Sequence, residues 1–298
     1  MVNMTLFIGY YGRNNLGDDL MLEQLYTEGS YVFLQDNNFY SFIPKEKQIV
    51  LSKKIIKKTF QKVYFLILLK LKGLRQLTFG GGTQFSSNSS KYTQIDNFLL
   101  VLISKALNIF VKADSVGIGA IKSNDKTLIK TLKLFDFISV RDKTSSFKLK
   151  NINHTLTKDL VYKINFNKQQ VIKNKILITA TGPVLRRNKF YTENYLSFLD
   201  IHIDRNETEI YYCIFQKGED DFIFHILKKR FPKLKILKIA TKEEVESVYS
   251  KAKFVVGMRY HSLILADIFD VPFVGFSYDD KVKDLCYIKK TKFYSAKG

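Results

Sequence analysis

The stretch Phe254–Val282, FVVGMRYHSLILADIFDVPFVGFSYDDKV, decides how this chain is read. FVVG is a short continuous apolar run, the pattern of a strand buried on both faces of a parallel sheet. A brief loop carrying Arg259 and His261 follows, then a helix, a second buried strand, and a polar turn carrying Lys281. A buried strand feeding a helix whose first turn holds Arg and His suits an anion. Helix-end amides and the macrodipole add partial positive charge to that of the side chains. Lys281 lies twenty residues beyond His261, the span of one helix plus one strand, so both ends of the unit return to the same rim of the sheet.

The same alternation of short apolar runs and amphipathic segments extends through the chain and predicts an α/β fold with mostly parallel sheets. Strands are expected at Met4–Ile8, Leu77–Phe79, Ser115–Ile118 and Phe137–Val140, then at Lys175–Thr179, Glu209–Phe215, Lys235–Ile239, Phe254–Gly257 and Phe273–Phe276. The polar, Lys/Asn-rich stretch from Tyr162 to Asn174 lacks a core pattern and reads as a join. Two Rossmann-like lobes are therefore expected, residues 1–165 and 166–298, with an interdomain cleft facing the carboxyl ends of the strands.

Composition narrows the partners. The 298 residues are 46% hydrophobic, which fits a globular chain and not a disordered one. The greasiest run, VYFLILL at Val63–Leu69, is far short of the roughly 20 residues that span a bilayer. No secretory signal pattern opens the sequence, and Cys213 and Cys286 read as buried or free thiols, so a cytoplasmic location is expected. The net charge of +20 favours anionic partners, including contact with an anionic membrane surface. Nucleic acid is not expected, because zinc-finger spacing, RNP-like motifs and a dense basic helix are all missing. Only eight of the 48 basic residues are Arg, which draws attention to Arg141 and Arg259, placed where a planar bidentate fork is useful.

Three further motifs sit at strand ends. GYYGRNNLGDD, Gly9–Asp19, follows the first strand and opens a helix; Asn15 and Asp18 are capping residue types there. FGGGTQF, Phe79–Phe85, offers the amides of Gly81 and Gly82 to an oxyanion, phosphate or sugar, with Gln84 placed for a sugar hydroxyl. ISVRDKTS, Ile138–Ser145, sets Arg141 beside Asp142 at a helix start, either as an ion pair or as an anion ligand. His154, His202 and His225 read as structural, and no Cys, His and Asp set has metal-site spacing.

Taken in order, GYYGRNNLGDD, FGGGTQ, VRDKTS, GMRYHSLILA and SYDDKV resemble the motif series of the polysaccharide pyruvyl transferase family, from residue 8 to 282. The resemblance implies a GT-B-like fold and transfer of the enolpyruvyl group of phosphoenolpyruvate onto two hydroxyls of a sugar, giving a cyclic pyruvate ketal. By position it implies Arg141 and Lys281 at the anionic ends of the donor, His261 in general acid work or phosphate departure, Arg259 in its support, and Asn15 in the opening loop. It implies no metal or organic cofactor, with phosphoenolpyruvate as donor substrate and a glycan, lipid-linked or free, as acceptor. The sequence departs from the pattern at Asp19, where Glu is usual, and at Asp280, where Pro is common. It also ends sixteen residues after Val282, where members of the family usually continue into a longer C-terminal region; the expectation is either a truncated chain or a trimmed variant, lacking part of the acceptor site. Two other readings are open: a GT-B glycosyltransferase with a nucleotide-sugar donor, and a basic module that binds without turnover.

Overall fold

The computed structural model describes residues 4–204 and 207–295, which divide into two compact units. The first contains Met1–Arg13 and Asp18–Lys163; the second contains Asn14–Gly17 and Ile164–Gly298. The chain thus enters the second unit for four residues long before it reaches the main crossing at Lys163/Ile164.

In the first unit, strands β1 (Thr5–Ile8), β2 (Tyr31–Leu34), β3 (Gln48–Val50), β4 (Gln76–Gly80), β5 (Thr83–Phe85), β6 (Phe110–Ile118), β7 (Phe137–Val140) and β8 (Thr155–Leu156) form one parallel sheet. Its order is β3-β2-β1-β4-β6-β7-β8, with β5 added against the end of β6. Helices α1 (Leu16–Leu25), α2 (Ile55–Leu71), α3 (Lys91–Ala106), α4 (Lys126–Lys133) and α5 (Lys143–Lys148) make the crossovers. Local chemistry sets their starts: Ser90, Asp125 and Asp142 each accept a hydrogen bond from the backbone amide three residues on. The sequence reading assigns no element between Thr27 and Leu77. There β2 and β3 are too short to show a period, and α2 turns an apolar face outward, against the usual pattern.

The second unit repeats the scheme with β9 (Lys175–Thr179), β10 (Ile210–Ile214), β11 (Lys235–Lys238), β12 (Ala252–Gly257), β13 (Phe273–Ser277) and β14 (Phe293–Ser295), all parallel, in the order β11-β10-β9-β12-β13-β14. Its helices are α6 (Gly182–Arg187), α7 (Lys189–His202), α8 (Asp221–Arg230), α9 (Lys242–Tyr249), α10 (Tyr260–Ile268) and α11 (Asp280–Ile288). Thr241 and Glu244 close a reciprocal capping box at the start of α9. Cys213 and Cys286 are free and buried, and burial pushes both thiols up to about 12.

One sequence expectation is corrected here. Lys281 belongs to the first turn of α11, not to a turn; Asp279 and Asp280 at its start supply the negative charge that a helix N-terminus favours.

Candidate active site

The first strand of the second unit, β9, lies inside its sheet, with β10 on one side and β12 on the other. Chain order reverses there, and such a switch point opens a crevice at the carboxyl ends of the strands. Arg259, the residue before α10, lies across it. Its Nε donates to the Ala180 carbonyl at the end of β9 (3.3 Å) and to Asp220 Oδ2 (3.0 Å); Nη2 donates to Asp220 Oδ1 and to Gln216 Oε1 (3.2 Å). Asp220 is fully buried and also accepts from the amides of Gly182 (3.2 Å) and Gln216 (3.0 Å). Burial disfavours the Arg259 cation, but the Asp220 carboxylate more than offsets this and raises its pKa above the ordinary value. The pair is a fixed platform joining three strand ends.

His261 is the second residue of α10, in its first turn. The start of α10 is clamped by Ser262, whose Oγ donates to the Arg259 carbonyl (2.6 Å) and lies 2.6 Å from Thr179 Oγ1 on β9. Asn14–Gly17 approaches from the other side. Leu16 N donates to the Phe215 carbonyl (2.9 Å), Lys217 N to the Asn14 carbonyl (3.3 Å), and Asn15 forms an isolated antiparallel bridge with Gln216. Gly17 then passes so close to the imidazole that a Cβ on it would lie 2.5 Å from His261 Cγ and 2.6 Å from Cε1. Glycine is therefore required at 17 by the position of His261.

Lys281, in the first turn of α11, follows the neighbouring strand β13. Its Nζ is 3.0 Å from Asp279 Oδ2 and 5.5 Å from the centre of the Tyr278 ring. The starts of α10 and α11 thus share one edge of the sheet, because β12 and β13 are paired in parallel register. Asn15, Arg259, His261 and Lys281 come from distant parts of the sequence to this rim, where helix amides, a guanidinium, an imidazole and an ammonium are all suited to a small anion. Thr181 Oγ1, buried at the end of β9, has no hydrogen-bond partner.

Residues 15–280 of the chain match the family model described as polysaccharide pyruvyl transferase.

The chain belongs to the polysaccharide pyruvyl transferase family. It is accordingly a transferase of polysaccharide biosynthesis. No curated protein matches it in sequence. Solved structures resemble it in fold. A UDP-GlcNAc 2-epimerase from Neisseria meningitidis, bound to UDP-GlcNAc, aligns with TM-score 0.66 at 12% identity, covering 99% of this chain and 88% of that one. The UDP-GlcNAc 2-epimerase from Methanocaldococcus jannaschii gives 0.62 at 13%, covering 99% and 89%. Acinetobacter baumannii MurG gives 0.53 at 13%, covering 99% and 86%. At these identities the likeness shows the fold alone, two Rossmann-like lobes of the GT-B type.

The remaining expected site residues of this pyruvyl transferase lie in the first unit. Gly82 adopts φ +62°, and a Cβ on it would come 3.0 Å from Asp18 Oδ1 and 3.3 Å from Gln84 Nε2, so these three residues form one cluster. Gln84 Nε2 donates to the Gly81 carbonyl (3.0 Å). The expectation of open amides along the glycine run fails at Gly81. Its N–H donates to the Asp114 carbonyl (3.1 Å), and its Cα is packed on Met21, which explains glycine there at φ +56°. Arg141 is buried; its Nη1 donates to the fully buried Asp159 (2.9 Å), and Asp142 lies 3.9 Å from Nε. Of the two sequence readings of Arg141, the structure shows ion pairing, with Asp159 a closer partner than Asp142.

Asp220, Gln216 and Gly17 were missed from sequence. The only available signal was an acidic residue at a helix start, which capping already explains.

Proposed function

We propose that this enzyme transfers the enolpyruvyl group of phosphoenolpyruvate onto two hydroxyls of one sugar in a bacterial surface polysaccharide or its lipid-linked precursor. The observation that carries the reading is the gathering of Arg259, His261 and Lys281 at the carboxyl ends of the paired strands β12 and β13. Family membership supports it.

His261 protonates the donor methylene carbon, leaving positive charge at the adjacent carbon. The first sugar hydroxyl adds there, and its proton returns to the now-neutral His261. Phosphate then departs with the C–O bond pair, and the second hydroxyl closes the ketal, its proton leaving with the phosphate. Lys281 and the amides at the start of α10 hold the phosphate and carboxylate, while Arg259 keeps the platform in place and adds charge that is already ordered. Asn15 borders the same rim. Asp18, Gly82 and Gln84 are assigned to acceptor hydroxyls. Arg141, whose Nη1 pairs with Asp159, is assigned to a donor oxyanion. Reaction by fixed charges needs no cofactor, and chelator treatment that abolished turnover would count against it. Among the described residues, no group of three or more His, Cys, Asp or Glu side chains is arranged to hold a metal ion.

The test is incubation with phosphoenolpyruvate and a panel of synthetic or lipid-linked glycosides. The expected result is release of inorganic phosphate with an acceptor heavier by one pyruvate less one water. Release of a nucleoside phosphate from a nucleotide sugar would establish the glycosyltransferase reading instead.

A further inference from the structure

Helix α2 (Ile55–Leu71) buries Lys62, Leu66 and Leu69, yet its opposite face is apolar. Ile56, Phe60, Tyr64, Ile67 and Leu71 are between 44% and 82% exposed. At about 100° per residue these five fall within a stripe about 80° wide and about 22 Å long. Surface helices ordinarily put polar residues there, and an exposed contiguous apolar strip marks a contact site. Helix α3, held to α2 by the buried Lys62–Asp96 ion pair with Thr59 donating to Asp96 (2.7 Å), extends it with exposed Tyr92 and Ile95.

Charge identifies the occupant. Between Glu46 and Asp96 the sequence has ten basic residues and no acidic one. Lys54 and Lys57 are exposed at one end of the stripe and Lys72 at the other. Apart from Asp36, which pairs with Lys53 before the helix, the charges that flank this apolar ridge are positive, which fits an anionic bilayer, with rings in the headgroup layer and ammonium groups on phosphates. No described helix is long and apolar enough to cross a membrane, so this one lies on the surface.

We infer that the α2 face, extended by α3, docks the first unit onto an anionic phospholipid bilayer. This is independent of the donor assignment, since binding is read without turnover. The full chain is floated through a density gradient with phosphatidylcholine vesicles, with or without phosphatidylglycerol. Comigration is expected with the anionic vesicles, falling in phosphatidylcholine alone and in raised salt. The Phe60→Ser/Leu71→Ser variant should lose about tenfold or more in partitioning, and Lys54→Glu/Lys57→Glu a similar factor on anionic vesicles only. Phe147→Ser, an exposed ring on α5, should bind as wild type, and circular dichroism should show all variants folded. Wild-type protein left at the bottom of the gradient, or α2 variants that float undiminished, overturns the inference. So does a wild-type dimer in sedimentation that Phe60→Ser/Leu71→Ser splits without any vesicle binding, which would assign the face to a second copy.

Discussion

Replacing Gly17 by Ala should separate catalysis from folding. The added methyl would stand 2.5 Å from His261 Cγ and closer still to Nδ1, against an ordinary separation of about 3.5 Å, so one of the two must retreat by more than about 1 Å. The helix backbone at 17 is tied through Leu16 to Phe215, whereas the imidazole turns about two side-chain bonds; the ring moves. Alanine gains about 1 kcal/mol over glycine inside a helix. Forcing the ring off its preferred rotamer costs about 0.5–1.5 kcal/mol. Stability should thus change by no more than about 1 kcal/mol. A misplacement of about 1 Å at the reacting group costs about 100-fold in rate, near 2.7 kcal/mol of barrier. Phosphate release with phosphoenolpyruvate and acceptor, paired with a thermal melt, reads both quantities. His261→Ala and the Gly17→Ala/His261→Ala double variant should be equally inactive, because the methyl acts only through the ring. Wild-type turnover in Gly17→Ala would refute the reasoning, as would a double variant much slower than His261→Ala.

Asp220→Ala leaves the Arg259 guanidinium without its main partner and should destabilise the second unit by about 3–5 kcal/mol, seen as a clear loss in Tm. Asp159→Asn should lower stability less and, if Arg141 is then released to the donor, decrease the KM for phosphoenolpyruvate; an unchanged KM would confine Arg141 to a structural role. Asp19 is raised to about 7 by burial and by Asp18, against the hydrogen bond it accepts from Tyr40. The native state therefore holds this proton more tightly than the unfolded chain. Its stabilisation is complete below about pH 4 and is lost as pH rises towards 7, by at most about 4 kcal/mol. Asp19→Asn should flatten that part of the stability profile, which denaturant melts at several pH values would show.

Much of the frame was legible in the sequence. β7 and β9 have the expected limits, and the ends of β12 and β13 carry the expected Arg, His and Lys. These are local properties, since a buried parallel strand needs an unbroken apolar run. Helix α2 was not legible, because its apolar residues point both inward and outward and blur the period. Gly81 misled for a related reason. Glycine can free an amide for a ligand or let a side chain pack on the backbone, and here Met21 takes the space.

The amino-acid order alone determined the alternating layers, the family and the rim at which cations collect, because hydrophobic period and motif spacing act over a few residues. Only the tertiary structure decided that Asn14–Gly17 leaves the first unit to lie beside His261, and that Asp220 takes Arg259 from 39 positions away. Those choices depend on which strand ends become neighbours. Sheet order sets that, through burial and backbone pairing summed over whole lobes, and no short window of sequence records it.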